Sequence, residues 1–145
     1  MIYLAGSCSS EQRTLMADVA KILRLNGYDV YCPFEFNIEN AWDYTQEEWS
    51  KIVFNADKDA IDKSDTFLMI TPGRVSTAGT NWEQGYAYAT NKRVIVIQYT
   101  DEPTSLMTYC ACNTFINTDK NNIYTDVITA IQSEDIKRKC TTTLT

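Results

Sequence analysis

Histidine is absent from the 145 residues. That one absence excludes Ser/His and Cys/His nucleophile pairs, imidazole general bases and every His-containing metal site. Acid/base chemistry therefore falls to Asp, Glu, Tyr, Lys or Cys. Basic residues are scarce: 13 Lys and Arg stand against 19 Asp and Glu, for a net charge of −6 and a pI near 4.6. Such a balance is unsuited to a nucleic-acid backbone, which demands clustered cations, and a small-molecule partner is expected instead. The one basic run, Lys137-Arg138-Lys139, sits beside a Thr-rich end and reads as solvated surface. No stretch approaches the roughly 20 apolar residues of a membrane span. Met1 to Ala5 lacks the charged segment and long apolar run of a secretion signal. With an odd number of cysteines, five, a reducing cytoplasmic setting is expected. Cys110 and Cys112 have no second thiolate pair at zinc-site spacing, so neither metal nor cofactor is expected.

What is present is a composition able to pack: 44% hydrophobic and 12% aromatic residues in a length suited to one domain. A single domain over 1–145 is expected, with 136–145 as a flexible tail. Short apolar runs at Met1–Ala5, Tyr28–Cys32, Asp65–Thr71, Lys92–Gln98 and Thr114–Ile116 read as strands. Between them, helical spacing predicts helices up to Asn26-Gly27, from Thr45 to Ser64, from Thr80 to Thr90 and from Ile123 to Ile136. Phe34 to Tyr44 has no period and reads as a long loop. Strict alternation of strand and helix implies an α/β fold with a parallel sheet of about five strands flanked by helices. In such sheets ligands sit beyond the carboxyl ends of the strands, here the loops at Gly6–Ser10, Pro33–Asn40 and Pro72–Gly79.

Three side chains stand out near that edge. Glu83 follows the Gly73–Gly79 loop in what reads as a first helical turn, where an acid also simply complements the helix dipole. Asp57 lies four residues from both Val53 and Ile61, at the edge of an apolar stripe, and should look inward. Tyr3 occupies the first strand, where its phenol could reach the same edge or merely be half-buried.

Taken together these blocks resemble the nucleoside 2-deoxyribosyltransferase family, from Ile2-Tyr3-Leu4-Ala5-Gly6 to about Ile116. The resemblance rests on that first strand, on Asn55-Ala56-Asp57 leading to Ile61 and Ser64-Asp65, on Gly79-Thr80-Asn81-Trp82-Glu83-Gln84-Gly85-Tyr86-Ala87, and on Leu106-Met107. It implies a flavodoxin-like doubly wound sheet. It also implies that Glu83 attacks the anomeric carbon of a deoxynucleoside to give a covalent deoxyribosyl-enzyme, with Tyr3 orienting its carboxylate. Asp57 then exchanges a proton with the departing and incoming base. Such two-carboxylate chemistry protonates a poor leaving group and requires no metal.

Two departures from the family pattern bear on substrate. Where transferases carry an aspartate six positions before the nucleophile, this chain has Thr77, preceded by Ser76. Related hydrolases of deoxynucleoside monophosphates carry a serine there, and a neutral hydroxyl tolerates a phosphate that an aspartate repels. Gly6, Ser7, Ser9, Arg13, Arg74 and Gly79 are further candidate contacts at that end. For the base, Asn37 falls where the family places a Gln, and Phe34, Phe36 or Trp42 could stack on a ring. In the family the segment around Leu106-Met107 completes a neighbouring subunit's pocket, so Ser105 and Met107 are candidates for that role and a homo-oligomer is implied.

Three activities stay open at this point. One is transfer of a deoxyribosyl group between a nucleoside and a free nucleobase; another is hydrolysis of the N-glycosidic bond of a nucleoside or its 5′-monophosphate. The third is binding of a nucleotide without catalysis. A fainter similarity to cytokinin-activating phosphoribohydrolases, in Thr71-Pro72-Gly73 with Gly79-Thr80 and Glu83, lacks their Gly-Gly signature.

Overall fold

The computed structural model describes residues 1–7, 9–133 and 138–145. In chain order the elements are β1 (Ile2–Ala5), α1 (Ser10–Leu25), β2 (Val30–Tyr31), α2 (Gln46–Lys63), β3 (Thr66–Thr71), α3 (Ala78–Ala89), β4 (Arg93–Gln98), α4 (Leu106–Cys110), β5 (Thr114–Asn117), α5 (Ile123–Gln132) and β6 (Arg138–Lys139). All strand pairs are parallel, in the order β2-β1-β3-β4-β5-β6. The expected doubly wound α/β sheet is present, with β6 as a short addition.

Burial on both faces explains the strand sequences. The run Phe67-Leu68-Met69-Ile70 is buried throughout, its side chains alternating between the two layers. Leu4, Leu68, Ile70, Ile95 and Ile97 pack under α1 and α5 with Val19, Leu23 and Val127. Tyr3, Ala5, Phe67, Met69 and Val96 form the opposite layer with Ile61 of α2 and Ala87 of α3. Each buried Leu, Ile or Phe contributes about 1.5–3 kcal/mol relative to exposure.

Local signals fix the helix ends. Thr45 and Glu48 form a capping box at the start of α2: the Thr45 Oγ1 accepts from the Glu48 N–H at 3.1 Å, and the Thr45 N–H donates to the Glu48 carboxylate at 3.2 Å. The Arg93 guanidinium donates to the last carbonyls of α5, at Ala130 (2.7 Å) and Ile131 (2.8 Å), and to Ser133 O. Gly6 is a close-approach position, since a Cβ there would lie 2.6 Å from the Met16 Sδ and 3.2 Å from the Ile70 carbonyl.

Three expectations are corrected. The strand at Tyr28–Cys32 shrinks to Val30–Tyr31, and the loop after it contains two short 3-10 turns, Pro33–Glu35 and Ala41–Asp43. Of the apolar stripe expected on α2, Trp49, Ile52, Val53, Ala56, Ala60 and Ile61, only Ala60 and Ile61 are buried, while Trp49 remains 44% exposed. Finally, 136–145 is read from sequence as a tail, but from Arg138 the backbone pairs with β5 and then crosses the β4–α4 connection. There the Thr104 N–H donates to Thr143 O at 2.8 Å, the Thr145 N–H to Thr104 O at 2.9 Å and the Leu106 N–H to Thr145 O at 3.0 Å. Backbone partners, which composition does not reveal, override the polar character of the segment. Ile136 and Lys137 lie outside the described residues.

Candidate active site

The parallel register puts Tyr3 of β1 beside Tyr31 of β2 on one side and Phe67 of β3 on the other. The three rings stack, with centroids 5.5 Å apart in both pairs. Tyr3 is fully buried, so its hydroxyl can serve only what lies directly over it. It meets no partner at ordinary hydrogen-bond geometry. The Glu83 carboxylate stands beside it, and burial together with the charges of Glu83 and Asp57 keeps the phenol protonated far above its usual range. Tyr3 is thus a proton-bearing donor aimed at a carboxylate.

Glu83 lies on α3, which begins at Ala78 rather than Thr80 because Thr77 caps it: the Thr77 Oγ1 accepts from the Thr80 N–H at 3.4 Å. The earlier start moves Glu83 into the second turn, where the simple dipole explanation no longer applies. Burial raises its pKa, the Asp57 charge raises it further, and the Tyr3 hydroxyl pulls the other way; the result is a carboxyl pushed up to about 7. Asp57, half-buried on α2, is also raised by burial, opposed by a hydrogen bond from the Tyr31 hydroxyl at 3.1 Å. Phe54, Asp57, Gly79, Trp82 and Glu83 line one cleft of about 230 Å³. Phe54 and Trp82 form its apolar wall, their ring centroids 5.1 Å apart. Two carboxyls, one buried phenol and an aromatic wall suit proton transfer and nucleophilic attack on a ring-bearing substrate.

A second hollow of about 240 Å³ opens where the loops after β1 and β3 diverge, at the topological switch point. Ser7, Ser9, Ser76, Thr77 and Thr80 bring hydroxyls to it, between the N-termini of α1 and α3. Some of these hydroxyls have structural employment. Thr77 also shares a 2.8 Å hydroxyl contact with Thr80, and the Ser76 Oγ donates to Asn81 Oδ1 at 2.8 Å.

The remaining sequence candidates scatter. Gly6 lies at the end of β1 against Met16. Phe34 packs against the layer under α1 and α5, away from Tyr3, whereas Asn37, Phe36 and Trp42 are exposed. Arg13 is exposed, and Arg74 reaches the Thr145 hydroxyl at 3.5 Å. Ser105 caps α4 by accepting from the Thr108 N–H at 3.5 Å, and Met107 beside it is 71% exposed. Two participants escape a reading of single residues. Tyr31 binds Asp57, and buried Gln84 ties α3 to α4 by donating to Thr108 O (2.9 Å) and Ala111 O (3.0 Å). Tyr31 is recoverable only through its register with Tyr3.

Residues 2–118 match the sequence model of the nucleoside 2-deoxyribosyltransferases. The chain belongs to that family. Family members are enzymes acting on nucleosides and nucleobases. A 2-deoxyribosyltransferase from the psychrotolerant bacterium Bacillus psychrosaccharolyticus superposes with a TM-score of 0.74 at 26% identity, over 96% of this chain and 98% of its own. A conserved protein from Enterococcus faecalis V583 matches at 31% identity and a TM-score of 0.56, over 70% of this chain and 64% of its own. The Clostridium botulinum CMP N-glycosidase shares the fold at 20% identity, with a TM-score of 0.63 over 88% and 97% of the two chains. No curated protein matches the sequence. Among the described residues, no helix is long and apolar enough to cross a membrane.

Proposed function

We propose that this member of the family transfers a 2-deoxyribosyl group between nucleobases through a covalent intermediate on Glu83. The supporting observation is one cleft that Glu83 and Asp57 share beside an apolar wall, with the protonated phenol of buried Tyr3 next to Glu83. In the first step a Glu83 carboxylate oxygen attacks C1′. The C1′–N bond breaks, its electron pair leaves with the base, and Asp57 supplies the proton that makes the base a competent leaving group. Tyr3 donates toward the second carboxylate oxygen and holds the first in line. In the second step a nitrogen of another base attacks C1′, Asp57 takes up its proton, and the ester bond to Glu83 breaks. The reactive form carries the pair's one proton on Asp57 with Glu83 ionised, the less populated of the two singly protonated arrangements, because the Asp57 charge is part of what raises Glu83.

A second reading is favoured by the hydroxyl-lined hollow. Position 77 contributes a hydroxyl rather than a carboxylate, and the N-termini of two helices flank the space, so a 5′-monophosphate is accommodated. Water in place of the second base then makes the reaction a hydrolysis. Both readings include a homo-oligomer, supported by Trp82 of the cleft wall and by Leu106 and Met107 of α4, which leave 47%, 47% and 71% of their surface uncovered.

Chromatography of the purified protein with each deoxynucleoside and its 5′-monophosphate, with and without a second base, decides between them. A new nucleoside supports transfer. Free base and free sugar, or free base and sugar phosphate, support hydrolysis. Glu83→Ala should abolish base release in either case while sedimentation still reports an assembly larger than one chain.

A further inference from the structure

Along α3 the positions Thr80, Gln84 and Ala87 follow the i, i+4, i+7 spacing of a packed helix face, and all three are buried. The middle one breaks the pattern. An apolar side chain is the ordinary occupant of such a position, and a buried amide needs a reason. We propose that Gln84 is a positioning residue for Glu83: by fastening α3 to α4 it sets where the neighbouring carboxylate stands against Tyr3 and Asp57. This rests on the reading of Glu83 as the nucleophile.

Geometry is the first support. Gln84 is 3% exposed, and its amide nitrogen donates to Thr108 O at 2.9 Å and to Ala111 O at 3.0 Å. Both donors are thus directed at the last turn of α4 and its C-cap, carbonyls of the kind that a helix end cannot satisfy by itself. Successive residues of a helix point about 100° apart. Glu83 therefore turns toward Tyr3 of β1 and Asp57 of α2 while Gln84 turns toward α4, and α3 is braced on two sides within one turn.

The firmness of α4 is the second. A helix of 5 residues does not hold itself, yet this one is fixed to its surroundings along its length. Ser105 caps its start, and the Leu106 N–H donates to Thr145 O at 3.0 Å. Thr108 is buried, and the ring of Tyr109 meets Phe115 of β5 edge-on with centroids 5.2 Å apart. The other buried side chains of α3, a threonine and an alanine, are short, which leaves Gln84 as its long anchor in the interior. Attack on C1′ demands alignment, and a misplacement of about 1 Å costs on the order of 10²-fold in rate. Loss of the anchor should therefore fall on kcat, the step in which the Glu83 oxygen must already be in line.

The test uses Gln84→Met and Gln84→Leu, apolar side chains that suit a buried position but carry no donor. Each is assayed for base release well below its melting temperature, and either one that circular dichroism shows to be folded suffices. We expect kcat to fall about tenfold while KM changes by less than about twofold. Val127→Ala, which opens a cavity between α5 and the opposite face of the sheet, is the control for lost stability alone: it should lower Tm and leave kcat unchanged. A second readout needs no turnover. Carbon-13 NMR of labelled glutamate carboxyls should find Glu83 titrating below its wild-type midpoint of about 7, because the carboxylate has left the place where burial and the Asp57 charge act on it. Wild-type kcat in a folded variant, a change in KM without one in kcat, or an unmoved Glu83 titration overturns the role of Gln84 alone, provided Glu83→Ala abolishes base release. Base release that survives in Glu83→Ala removes the nucleophile reading itself, and the role of Gln84 goes with it.

Discussion

The Tyr31 hydroxyl reaches Asp57 across 3.1 Å and thereby ties the end of β2 to the middle of α2. The bond has a chemical effect as well as a mechanical one. By donating to the carboxylate it favours the ionised form and moderates the upward push of burial.

Tyr31→Phe removes that donor. The Asp57 pKa then rises further, so the acid limb of kcat/KM, where the pair takes up its second proton, moves to higher pH. The looser side chain costs about tenfold in kcat/KM at the optimum. A pH–rate profile of the variant checks both statements; an unmoved acid limb removes Tyr31 from the proton-transfer apparatus.

Glu83 provides the opposite limb. It titrates near 7 with Asp57 already charged, so that step removes the pair's last proton, and kcat/KM should fall on the alkaline side with a midpoint near 7. Because the Asp57 charge contributes to that elevation, Asp57→Asn should bring the Glu83 titration down toward the ordinary carboxylate range. Carbon-13 NMR of labelled glutamate carboxyls observes the titration directly, even in a variant with little turnover.

The same elevation makes Glu83 a cost to folding. Its pKa is about 7 in the folded chain against an ordinary 4.5, so the folded state holds the proton more tightly than the unfolded one. The penalty is absent below the lower value, grows as pH rises between the two and is complete above the upper. Glu83→Gln should therefore be the more stable protein at pH ~8, by roughly 2 kcal/mol or about 5 °C in Tm, with the advantage gone near pH ~4. Thermal melts at the two pH values measure it.

Gly73 adopts a φ of +110°, and a Cβ there would approach the Pro103 carbonyl at 3.0 Å. Both backbone strain and contact with backbone oppose any side chain. Gly73→Ala should destabilise the fold by about 1–3 kcal/mol and displace the loop carrying Ser76 and Thr77. KM should rise more than kcat falls, which steady-state kinetics below the melting transition will report.

Which of these features the sequence reveals follows from the range of the interactions. Strand-helix alternation, the inward turn of Asp57 and the place of Glu83 behind a Gly-containing loop are written in local periodicity, and the family motifs around Tyr3, Asp57 and Glu83 add their identity. The start of α3 at Ala78 depends on a cap three residues before the expected boundary, so Glu83 reads as a dipole-complementing acid when it is a half-buried one in the second turn. Tyr31 becomes a partner of Asp57 only through pairing between strands 28 residues apart in register, Tyr3 with Tyr31. Phe34 shows the converse: an aromatic in a loop beside the sheet edge looks like a stacking group, yet the chain turns it onto the other layer.

The closing segment around Thr142–Thr145 also has a consequence for how the molecule fails. Thr104 is joined to Thr143 and Thr145 through its backbone, to Thr142 through its hydroxyl and to buried Gln98 at 2.7 Å, while the Arg74 N–H donates to Pro103 O at 2.8 Å. The outermost pairing of the sheet is therefore in series with the loop that carries Ser76 and Thr77. Fraying at that edge requires far less than global unfolding. Activity should consequently disappear at a lower denaturant concentration than the far-ultraviolet signal of the helices, and the protein will pass through a state that is still folded but no longer an enzyme.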